Sequence, residues 1–578
     1  MGKILKQYMG GALLFALLAP LSMAVEVFMD ILQPTYMSEI IDVGVAGGDL
    51  PFIFERGKIM LLVALIGAIA GIACTVFSSF SAMRFGTNLR QALFDKIQTL
   101  SFKEIDELST SSLVTRLTND VTQLQNMLMM GLRMLVRAPL SCIGGLVMAY
   151  ALSPRLSLIF AAALPALAIT IFLIVRQVFP LFAEIQKRVD RVNTVMRENL
   201  LGVRVVKAFV GQEREDARFE TANMELMNTN MKAANLMVMM MPVISLIMNA
   251  SVIALFWFGG NMAIAGGLET GKIMAFMTYL LQALFSLMMV VMVMMGISRA
   301  KASADRINEV LDINPSITDP TAIQTMAGCA VEFDHVSFRY NNDSEEYVLR
   351  DVSFSAQEGQ TIGIIGATGS GKSTLVSLIP RLYDVNEGAV RIGGADVRTL
   401  SQQDLRRSIG MVLQESILFA GTVEQNLRWA DDDCDFSVLE QAAEDAQAAE
   451  FLQNNPDGFQ AAVEQRGKNF SGGQKQRLSI ARTFAKRPKI LILDDSTSAV
   501  DTETEAKIRS SITRQEDSSV VFIIAQRISS VSGADRIIVM DDGQISGMGT
   551  HRELLADNEI YRSIAASQLG EEVLNDAV

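Results

Sequence analysis

A glycine-rich segment near the middle of the chain has the composition of a phosphate-binding loop. It reads Gly366-Ala-Thr-Gly-Ser-Gly-Lys-Ser373 and fits the pattern G-x-x-x-x-G-K-[ST]. Glycines let backbone N–H groups close around phosphate oxygens, and the start of a following helix adds a partial positive charge. Lys372 would reach the β and γ phosphates, and Ser373 would offer its hydroxyl to Mg²⁺. The pattern favours a nucleotide site over an ordinary glycine-rich turn.

Two adjacent carboxylates lie further along the chain, directly after an apolar run. Residues 490–493 are Ile-Leu-Ile-Leu, and Asp494 and Asp495 follow them. Such a run suits a buried parallel strand, whose carboxyl end is where α/β sheets bind their ligands. Residues 361–366 predict another buried strand before the glycine-rich loop, and residues 372–379 predict a helix after it. Asp494 is therefore expected beside the loop.

Several motifs, which follow one another along the chain in the family's order, resemble those of the ATP-binding cassette (ABC) transporters. The glycine-rich loop resembles the family's Walker A motif, and Asp494 resembles its Walker B aspartate. Residues 470–474, Phe-Ser-Gly-Gly-Gln, are similar to the signature motif, and residues 498–501, Ser-Ala-Val-Asp, to the D-loop. Gln414 resembles the Q-loop glutamine, and Tyr340 the aromatic residue that stacks on adenine.

The resemblance implies that ATP and Mg²⁺ are the cofactors, with Mg²⁺ held by Ser373, Gln414 and Asp494. It assigns ATP binding to Tyr340, Gly366, Ala367, Thr368, Gly369, Ser370, Gly371, Lys372, Ser373, Thr374, Gln414 and Asp494. In this family the signature motif acts on the ATP of the opposite subunit. Here the corresponding residues are Ser471, Gly472, Gly473 and Gln474, and the D-loop aspartate is Asp501.

Two positions depart from the family pattern, and with Gln414 they make up the candidate catalytic residues. Asp495 stands where the family usually has the glutamate that orients the attacking water, and Gln526 stands where it has the switch histidine. The shorter carboxylate is pulled back by about 1.5 Å, and a misplacement of that size can cost about 10²-fold in rate. Glutamine donates a hydrogen bond but carries no proton as imidazole does. We expect a degenerate site that binds ATP and hydrolyses it slowly; the alternative is that both are tolerated variants in a working ATPase.

The intact signature motif gives the chain a second role. Its resemblance is to the degenerate-site subunit of a bacterial heterodimeric exporter, whose partner would carry the consensus glutamate and histidine and use this chain's signature residues. The activity implied is ATP-driven export of hydrophobic or amphipathic small molecules, of multidrug or lipid-like type. Two alternatives remain: a homodimeric exporter with two slow sites, and an ATP-gated channel or sensor on the same fold.

Length and composition predict a membrane protein with a separate cassette. The chain has 578 residues, of which 50% are hydrophobic, and the apolar runs are concentrated before residue 300. About 20 apolar residues cross a bilayer, and six such runs occur, at 11–34, 59–83, 135–152, 156–178, 236–265 and 273–296. The predicted fold is an all-α membrane domain of six long helices followed by an α/β P-loop NTPase domain with a helical subdomain. The predicted divisions are a transmembrane domain at 1–305, a linker at 306–329, a cassette at 330–570 and a tail at 571–578.

The distribution of basic residues predicts the orientation in the membrane. Lys and Arg are frequent in the long loops at 84–125 and 176–232 and sparse in the short loops between the other spans. The positive-inside rule then places the long loops, the N-terminus and the cassette in the cytoplasm, with the spans in the plasma (inner) membrane. The family resemblance implies short coupling helices in the long loops, and the candidates are residues 102–108 and 210–218.

Charge and metal-ligand content exclude other classes of partner. The net charge of −13 argues against nucleic acid, which calls for a basic patch. The four cysteines are too scattered for a C-x-x-C site or a disulfide framework, and two histidines make a histidine-based metal site improbable.

Methionine is the compositional clue to the cargo. The chain has 33 methionines, and Met288, Met292 and Met295 belong to a dense cluster in the last predicted span. Flexible, polarizable side chains adapt to differing apolar ligands, so these residues are candidates for a substrate cavity. The alternative is that they fill space between helices or face lipid.

Charged residues inside the spans are the other clue. Glu26 and Asp30 are four residues apart and share one helical face, and carboxylates at this depth imply a polar cavity, a partner or a gate. A preference for cationic amphipaths would follow if both face the cavity; the alternative is a gate contact or a structural pair with the partner subunit. Arg133 and Arg137 are also four apart, and we expect them to snorkel to the cytoplasmic interface.

Overall fold

The computed structural model describes residues 2–341, 346–515 and 519–569. The chain forms two compact units, and each is described by itself. The first consists of Met1–Gln98 and Ser111–Ile313, and the second of Thr99–Thr110 together with the chain from Asn314 onward. A short segment of the N-terminal half thus belongs to the unit that carries the nucleotide motifs. The predicted tail at 571–578 lies outside the described residues.

Long helices make up the first unit. Within the described residues, six helical segments are long and apolar enough to cross a bilayer, as predicted: Gly10–Val45, Leu50–Thr99, Thr110–Leu152, Leu158–Leu201, Gln212–Ile264 and Thr270–Val290. The helices up to residue 312 are α1 (Gly2–Tyr8), α2 (Leu13–Glu39), α3 (Leu50–Thr99), α4 (Phe102–Leu108), α5 (Thr110–Thr115), α6 (Val121–Leu152), α7 (Leu158–Leu201), α8 (Val203–Ala208), α9 (Gln212–Ile264) and α10 (Thr270–Asp312). Since α3 has 50 residues and α9 has 53, both greatly exceed the length that a bilayer requires. Part of the segment predicted as a linker is helical, because α10 ends only at Asp312.

A buried core of the first unit is formed mainly by residues of α2, α6, α7, α9 and α10. Tyr279 on α10 is fully buried, and its hydroxyl donates a hydrogen bond to the carbonyl of Ile31 on α2 at 2.8 Å. Phe160 on α7 packs edge-on against Phe276 on α10, with ring centroids 5.3 Å apart. Outside this core, many large apolar side chains of α2, α3 and α9 are more than half exposed. Apolar surface on this scale is typical of helices that contact lipid or another subunit.

Among its described residues, the second unit contains two larger sheets and a separate two-stranded one. Its strands are β1 (Val331–Phe338), β2 (Leu349–Ala356), β3 (Thr361–Gly366), β4 (Glu387–Ile392), β5 (Ala395–Asp396), β6 (Ile409–Val412), β7 (Gly421–Thr422), β8 (Ala462–Val463), β9 (Ile490–Asp494), β10 (Val520–Ile524), β11 (Arg536–Asp541) and β12 (Gln544–Gly549). The main sheet has the order β12-β11-β3-β10-β9-β6, in which only β12 runs antiparallel. An antiparallel sheet has the order β2-β1-β4-β5. The strands predicted at 361–366 and 490–493 are β3 and β9, and every residue of the two strands is buried except the half-buried Gly366.

Helices cover the main sheet and form a smaller helical group. They are α11 (Lys372–Ser377), α12 (Gln402–Ser408), α13 (Val423–Arg428), α14 (Phe436–Asp445), α15 (Ala449–Gln453), α16 (Gly472–Ala485), α17 (Thr502–Gln515), α18 (Ile528–Val531), α19 (His551–Asp557) and α20 (Glu559–Leu569). The helical subdomain predicted within the cassette includes α14 and α15, an insertion before the signature motif whose buried Leu439 and Leu452 share a core with Leu478 of α16. The insertion is therefore packed on the helix that carries the signature motif.

One of the two candidate coupling helices is present as expected, and the other is displaced. α4 occupies residues 102–108 and begins with a capping box between Ser101 and Glu104. Glu104 also accepts a hydrogen bond from the backbone of Ser316 at 3.1 Å, which ties α4 to the segment that leads into the cassette. The prediction of a short helix at 210–218 is wrong, since the short helix is α8 (Val203–Ala208) and α9 already begins at Gln212. The helical conformation is interrupted between α8 and α9 at Val210, whose φ is 54°.

Candidate nucleotide site

Close backbone packing explains why the loop between β3 and α11 needs glycine. A Cβ atom on Gly366 would lie 2.1 Å from the carbonyl oxygen of Met540 on the neighbouring strand β11. Gly371 adopts a φ of +94°, a conformation that other residues rarely take, and a Cβ atom there would lie 2.8 Å from Leu349. Both constraints fix the path of the loop from the end of β3 into α11.

The ammonium of Lys372 lies inside its own loop. It donates hydrogen bonds to the carbonyl oxygens of Gly366 at 2.9 Å and Ala367 at 2.7 Å. Burial lowers the pKa of Lys372, and the carboxylates of Asp494 and Asp495 oppose that effect. A half-buried cation held mainly by neutral carbonyls is available to an anionic ligand such as a nucleotide phosphate.

A hydroxyl, a carboxylate and an amide converge where the sequence predicts Mg²⁺. Ser373 donates a hydrogen bond from Oγ to Oδ1 of Asp494 at 3.0 Å, and the side chain of Gln414 lines the same cavity. Asp494 is only 5% exposed, and its burial, together with the charge of Asp495, raises its pKa. Mg²⁺ prefers oxygen ligands, and a buried carboxylate is stabilised by a cation. The donor set therefore fits Mg²⁺.

The two residues that depart from the family pattern contact each other. Gln526 follows β10 and donates a hydrogen bond from Nε2 to Oδ2 of Asp495, which follows the adjacent strand β9, at 2.8 Å. Asp495 has a φ of 47°, and its backbone N–H donates to the carbonyl of Ile524 on β10. One carboxylate oxygen of Asp495 is thus occupied by an amide. Both side chains line the cavity of about 340 Å³ that contains Thr368, Gly369, Gly371, Lys372, Ser373, Thr374, Gln414 and Asp494.

Tyr340 lies at the edge of this site. Its hydroxyl is 2.9 Å from Oγ1 of Thr374 in the Walker A segment, and 45% of its surface is exposed. The ring packs edge-on against Phe338 and Tyr383, with centroids 4.9 Å and 5.1 Å away. These contacts orient the ring while leaving part of it accessible to a planar ligand.

Tyr383 connects the nucleotide site to α4, and it was not predicted from the sequence. Its hydroxyl donates a hydrogen bond to Oδ2 of Asp106 on α4 at 2.6 Å, and its ring lies 6.2 Å from that of Phe102. Burial and the carboxylate of Asp106 both raise the pKa of Tyr383. No local pattern marks this residue, because its contacts depend on α4 lying against the cassette.

The signature residues are separate from the Walker residues of the same chain. Ser471 is the N-cap of α16, and it forms a capping box with Gln474, whose backbone N–H donates to Oγ of Ser471 at 3.3 Å. Gly472 and Gly473 form the first turn, where a Cβ atom on Gly473 would lie 2.9 Å from the carbonyl of Ala499. None of the four lines the cavity that holds Lys372. The hydroxyl proton of Ser471 is left to donate to an external acceptor, since the capping bond uses Oγ as an acceptor.

Gln476 and Ser498 join the signature helix to Asp495. Gln476 donates from Nε2 to Oγ of Ser498 at 3.2 Å and accepts from the backbone of Ala499 at 3.0 Å. Ser498 in turn donates to the carbonyl of Asp495 at 3.1 Å. Gln476 was not predicted from the sequence. The sequence feature that could have indicated its role is a polar side chain two residues after the signature motif.

The D-loop aspartate serves as a local cap in this structure. Asp501 accepts hydrogen bonds from the backbone and the hydroxyl of Thr504 at 3.0 Å and 2.8 Å, and these bonds lower its pKa. It therefore fixes the start of α17 directly after the segment that carries Ser498.

In the membrane unit, the two intramembrane carboxylates share one arginine. Arg137 on α6 donates to Glu26 at 2.5 Å and to Asp30 at 3.0 Å, both on α2. The prediction that Arg137 snorkels is wrong, because its guanidinium is held between two carboxylates of the same chain. Glu26 and Asp30 do line a cavity, of about 560 Å³. Met288 packs against the core of this unit, whereas the side chains of Met292 and Met295 lie outside the described part of the chain.

Comparison with known protein families accounts for both units. The chain matches the family model of the ABC transporter transmembrane region over residues 16–288 and that of the ABC transporter over residues 349–498. A solved structure of a bacterial Atm1-family ABC exporter with ATP bound superposes with a TM-score of 0.74, at 25% identity, over 98% of this chain and 99% of that chain.

Similar relatives match over most of their length. An uncharacterised ABC transporter ATP-binding protein of Bacillus subtilis, YfiB, is 39% identical over 97% of both chains. A putative multidrug export ATP-binding/permease protein of B. subtilis, YgaD, is 32% identical over 85% of both chains. A protein of Mycobacterium bovis named as a fatty acid ABC transporter is 34% identical over 82% of this chain and 75% of its own.

Proposed function

The chain belongs to the ABC transporters, as an ATP-hydrolysing half-transporter of the exporter type, and we propose that it exports hydrophobic or amphipathic small molecules across the bacterial plasma membrane. An exporter of this fold works as a dimer of two half-transporters. The names of two relatives, one for multidrug export and one for fatty acid transport, are consistent with this class of cargo. The N-terminus and the cassette would face the cytoplasm.

Within the dimer, we propose that this chain contributes the slower of two ATP sites. The observation that carries the proposal is the 2.8 Å hydrogen bond from Gln526 to Asp495. The side chain of Asp495 is one methylene shorter than that of glutamate, and one of its two carboxylate oxygens accepts a hydrogen bond from the amide of Gln526. Only the other oxygen is then free to orient water. The partner would supply the consensus glutamate and histidine, and this chain's Ser471, Gly472, Gly473 and Gln474 would complete the partner's site.

Each residue of the site has a defined task in this account. Lys372 would exchange its two loop carbonyls for phosphate oxygens, and Tyr340 would stack on the base. Ser373, Gln414 and Asp494 would hold Mg²⁺, which neutralises charge on the phosphates during transfer. ATP binding would draw the two cassettes together, and its higher affinity for the closed dimer would bias the membrane domains toward the outward-open state.

Transport by the reconstituted pair tests this function. The chain and a half-transporter carrying the consensus residues would be coexpressed, purified as a complex and reconstituted in inside-out vesicles. We expect ATP-dependent accumulation of a fluorescent amphipath, abolished by Asp494→Asn in this chain combined with the matching change in the partner. Ohmic current without accumulation would instead indicate a channel, and full activity of this chain alone would indicate a homodimer.

A further inference from the structure

Arg133 lies in the membrane unit, one helical turn before Arg137 on α6, and is bound differently from it. Arg137 is held by two carboxylates, whereas Arg133 has no hydrogen-bond or ion-pair partner among residues 2–341, 346–515 and 519–569. A guanidinium presents five N–H donors, and a membrane interior offers few acceptors for them. An arginine in this setting therefore marks a site where an acceptor binds.

Arg133 lies on the walls of two cavities with different linings. The larger one, of about 560 Å³, contains the carboxylates of Glu26 and Asp30. The smaller one, of about 220 Å³, has the two arginines as its charged residues and is otherwise lined by Met23, Met129, Met130, Met134 and Met289. A ligand in the smaller cavity meets positive charge at one side and polarizable thioether side chains around the rest.

The ion pairs alter the charge that a ligand encounters. The carboxylates of Glu26 and Asp30 are directed to Arg137, and neither lines the methionine cavity. They hold the guanidinium of Arg137 in place and leave that of Arg133 to face the methionines. The carboxylate pair thus orients Arg137, and the cationic cargo that Glu26 and Asp30 alone would favour is repelled at this cavity.

We propose that the methionine cavity, defined by Met23, Met129, Met130, Met134 and Met289, binds the head of an anionic amphipath. A carboxylate, sulfonate or phosphate group accepts hydrogen bonds from Arg133, and the apolar chain packs against the methionines. This proposal rests on the export function, because it assigns the cargo class of the same transporter. The methionines accommodate chains of different shape, and the arginine supplies the charge selectivity.

Three probes with one common chain test the charge preference. They are a dansyl-labelled fatty acid, its neutral methyl ester and the same labelled chain ending in trimethylammonium. Binding is measured by fluorescence without nucleotide, using the reconstituted pair in zwitterionic nanodiscs. We expect the carboxylate to bind tightest, and Arg133→Gln to weaken its Kd by about 10-fold while leaving that of the ester unchanged. Unchanged ester binding also shows that the variant is folded.

Additional variants separate this site from a general loss of structure. Arg133→Lys keeps the charge and retains part of the preference. Glu26→Gln with Asp30→Asn releases Arg137, so carboxylate binding becomes tighter. Arg56→Gln is the matched control, because Arg56 pairs with Glu39 at 3.2 Å and lines neither cavity. Equal binding of the three probes, tightest binding of the trimethylammonium probe, or an Arg133→Gln variant that binds the carboxylate normally would overturn the proposal.

Two more measurements identify the source of the anionic head group and distinguish a failure of the anion site from a failure of the export function. Phosphatidylglycerol added to the nanodisc displaces the carboxylate probe if a membrane lipid supplies the oxyanion, and leaves it bound if the ligand is a free amphipath; either result supports the site. ATP-driven transport of neutral amphipaths without any carboxylate preference rejects the anion site alone. Arg133-dependent binding without ATP-driven transport rejects the export function alone.

Discussion

Gln526 donates a hydrogen bond to Asp495 across the ends of two adjacent parallel strands, at 2.8 Å. The two residues depart from the ABC family pattern separately in sequence, but in the structure they form one pair. Their effects on catalysis are therefore expected to be coupled, since residues in direct contact rarely behave additively. Reverting only one of them leaves the other mismatched to its neighbour.

Removing the hydroxyl of Tyr383 tests the link between the nucleotide site and α4. Tyr383→Phe keeps the ring between Tyr340 and Phe102 but deletes the hydrogen bond to Asp106. We expect a loss of about 1 kcal/mol in cassette stability, unchanged ATP affinity and weaker stimulation of ATPase activity by transported amphipaths. Thermal unfolding, nucleotide binding and stimulated ATPase rates measure the three effects.

Tyr347→Phe provides the control, because Tyr347 also donates to a carboxylate, that of Glu387 at 2.9 Å, and its ring lies under the guanidinium of Arg339, two contacts that do not involve α4. Tyr347→Phe should leave the stimulation of ATPase activity by transported amphipaths unchanged. Equal loss of stimulation in both variants would show that the bond to Asp106 has no special part in coupling.

Ser471→Ala tests whether the signature motif acts on the partner's nucleotide. The substitution removes an N-cap worth about 1 kcal/mol and, in the proposed dimer, a donor to the partner's γ-phosphate. We expect the fast ATPase activity of the pair to fall about 10-fold or more, because that activity belongs to the partner's site. Steady-state phosphate release by the pair is the measurement.

Thr550→Ala is matched to this variant. Thr550 caps α19 through the same kind of capping box, with Glu553, and lies outside the nucleotide cavity. Thr550→Ala should lower the free energy of unfolding by about as much as Ser471→Ala does and leave ATPase activity unchanged. A similar loss of activity in both would mean that Ser471 acts only as a helix cap.

The raised pKa of Asp494 predicts how stability depends on pH. Because the folded pKa lies above the unfolded value, ionised Asp494 destabilises the nucleotide-free cassette, and the penalty develops as pH rises from the ordinary aspartate value to the raised one. Asp494→Asn should therefore raise the melting temperature at neutral pH, lose this advantage in acid and abolish stabilisation by MgATP. Differential scanning fluorimetry at several pH values is the measurement.

Asp396→Asn should have the opposite effect on the melting temperature at neutral pH. Burial alone would raise the pKa of Asp396, but the hydrogen bonds and charge of Arg398 outweigh it and lower that pKa. Ionised Asp396 thus stabilises the fold, and the variant should melt at a lower temperature at neutral pH. Destabilisation by both substitutions would contradict the buried-charge account of Asp494.

Local motifs predicted the residues that converge around the glycine-rich loop, while contacts between distant segments were not predictable from such motifs. The strands β3 and β9 were predicted because buried parallel strands are apolar throughout, and the Walker residues because their roles depend on backbone geometry encoded within a few residues. The Tyr383–Asp106 bond joins positions far apart in the chain. Its existence depends on which surface of the cassette α4 covers, and no local pattern specifies that.

The membrane unit shows the same limit. Helical periodicity correctly predicted that Glu26 and Asp30 share one face of α2. Their partner, Arg137, lies on α6, and the residue spacing within one helix does not indicate which other helix packs against it. Arg137 was therefore expected at the interface. Similarly, the break at Val210 is set by one backbone conformation, which the apolar periodicity on either side does not reveal.

The central claim is that Asp495 and Gln526 together make this chain's own ATP site slow. It is tested by phosphate release from a heterodimer whose partner carries glutamine in place of its catalytic glutamate, so that only this chain's site turns over. Asp495→Glu with Gln526→His should raise the rate by about 10²-fold, and adding Asp494→Asn should abolish the gain. A rate that stays unchanged in the doubly substituted chain would contradict the claim.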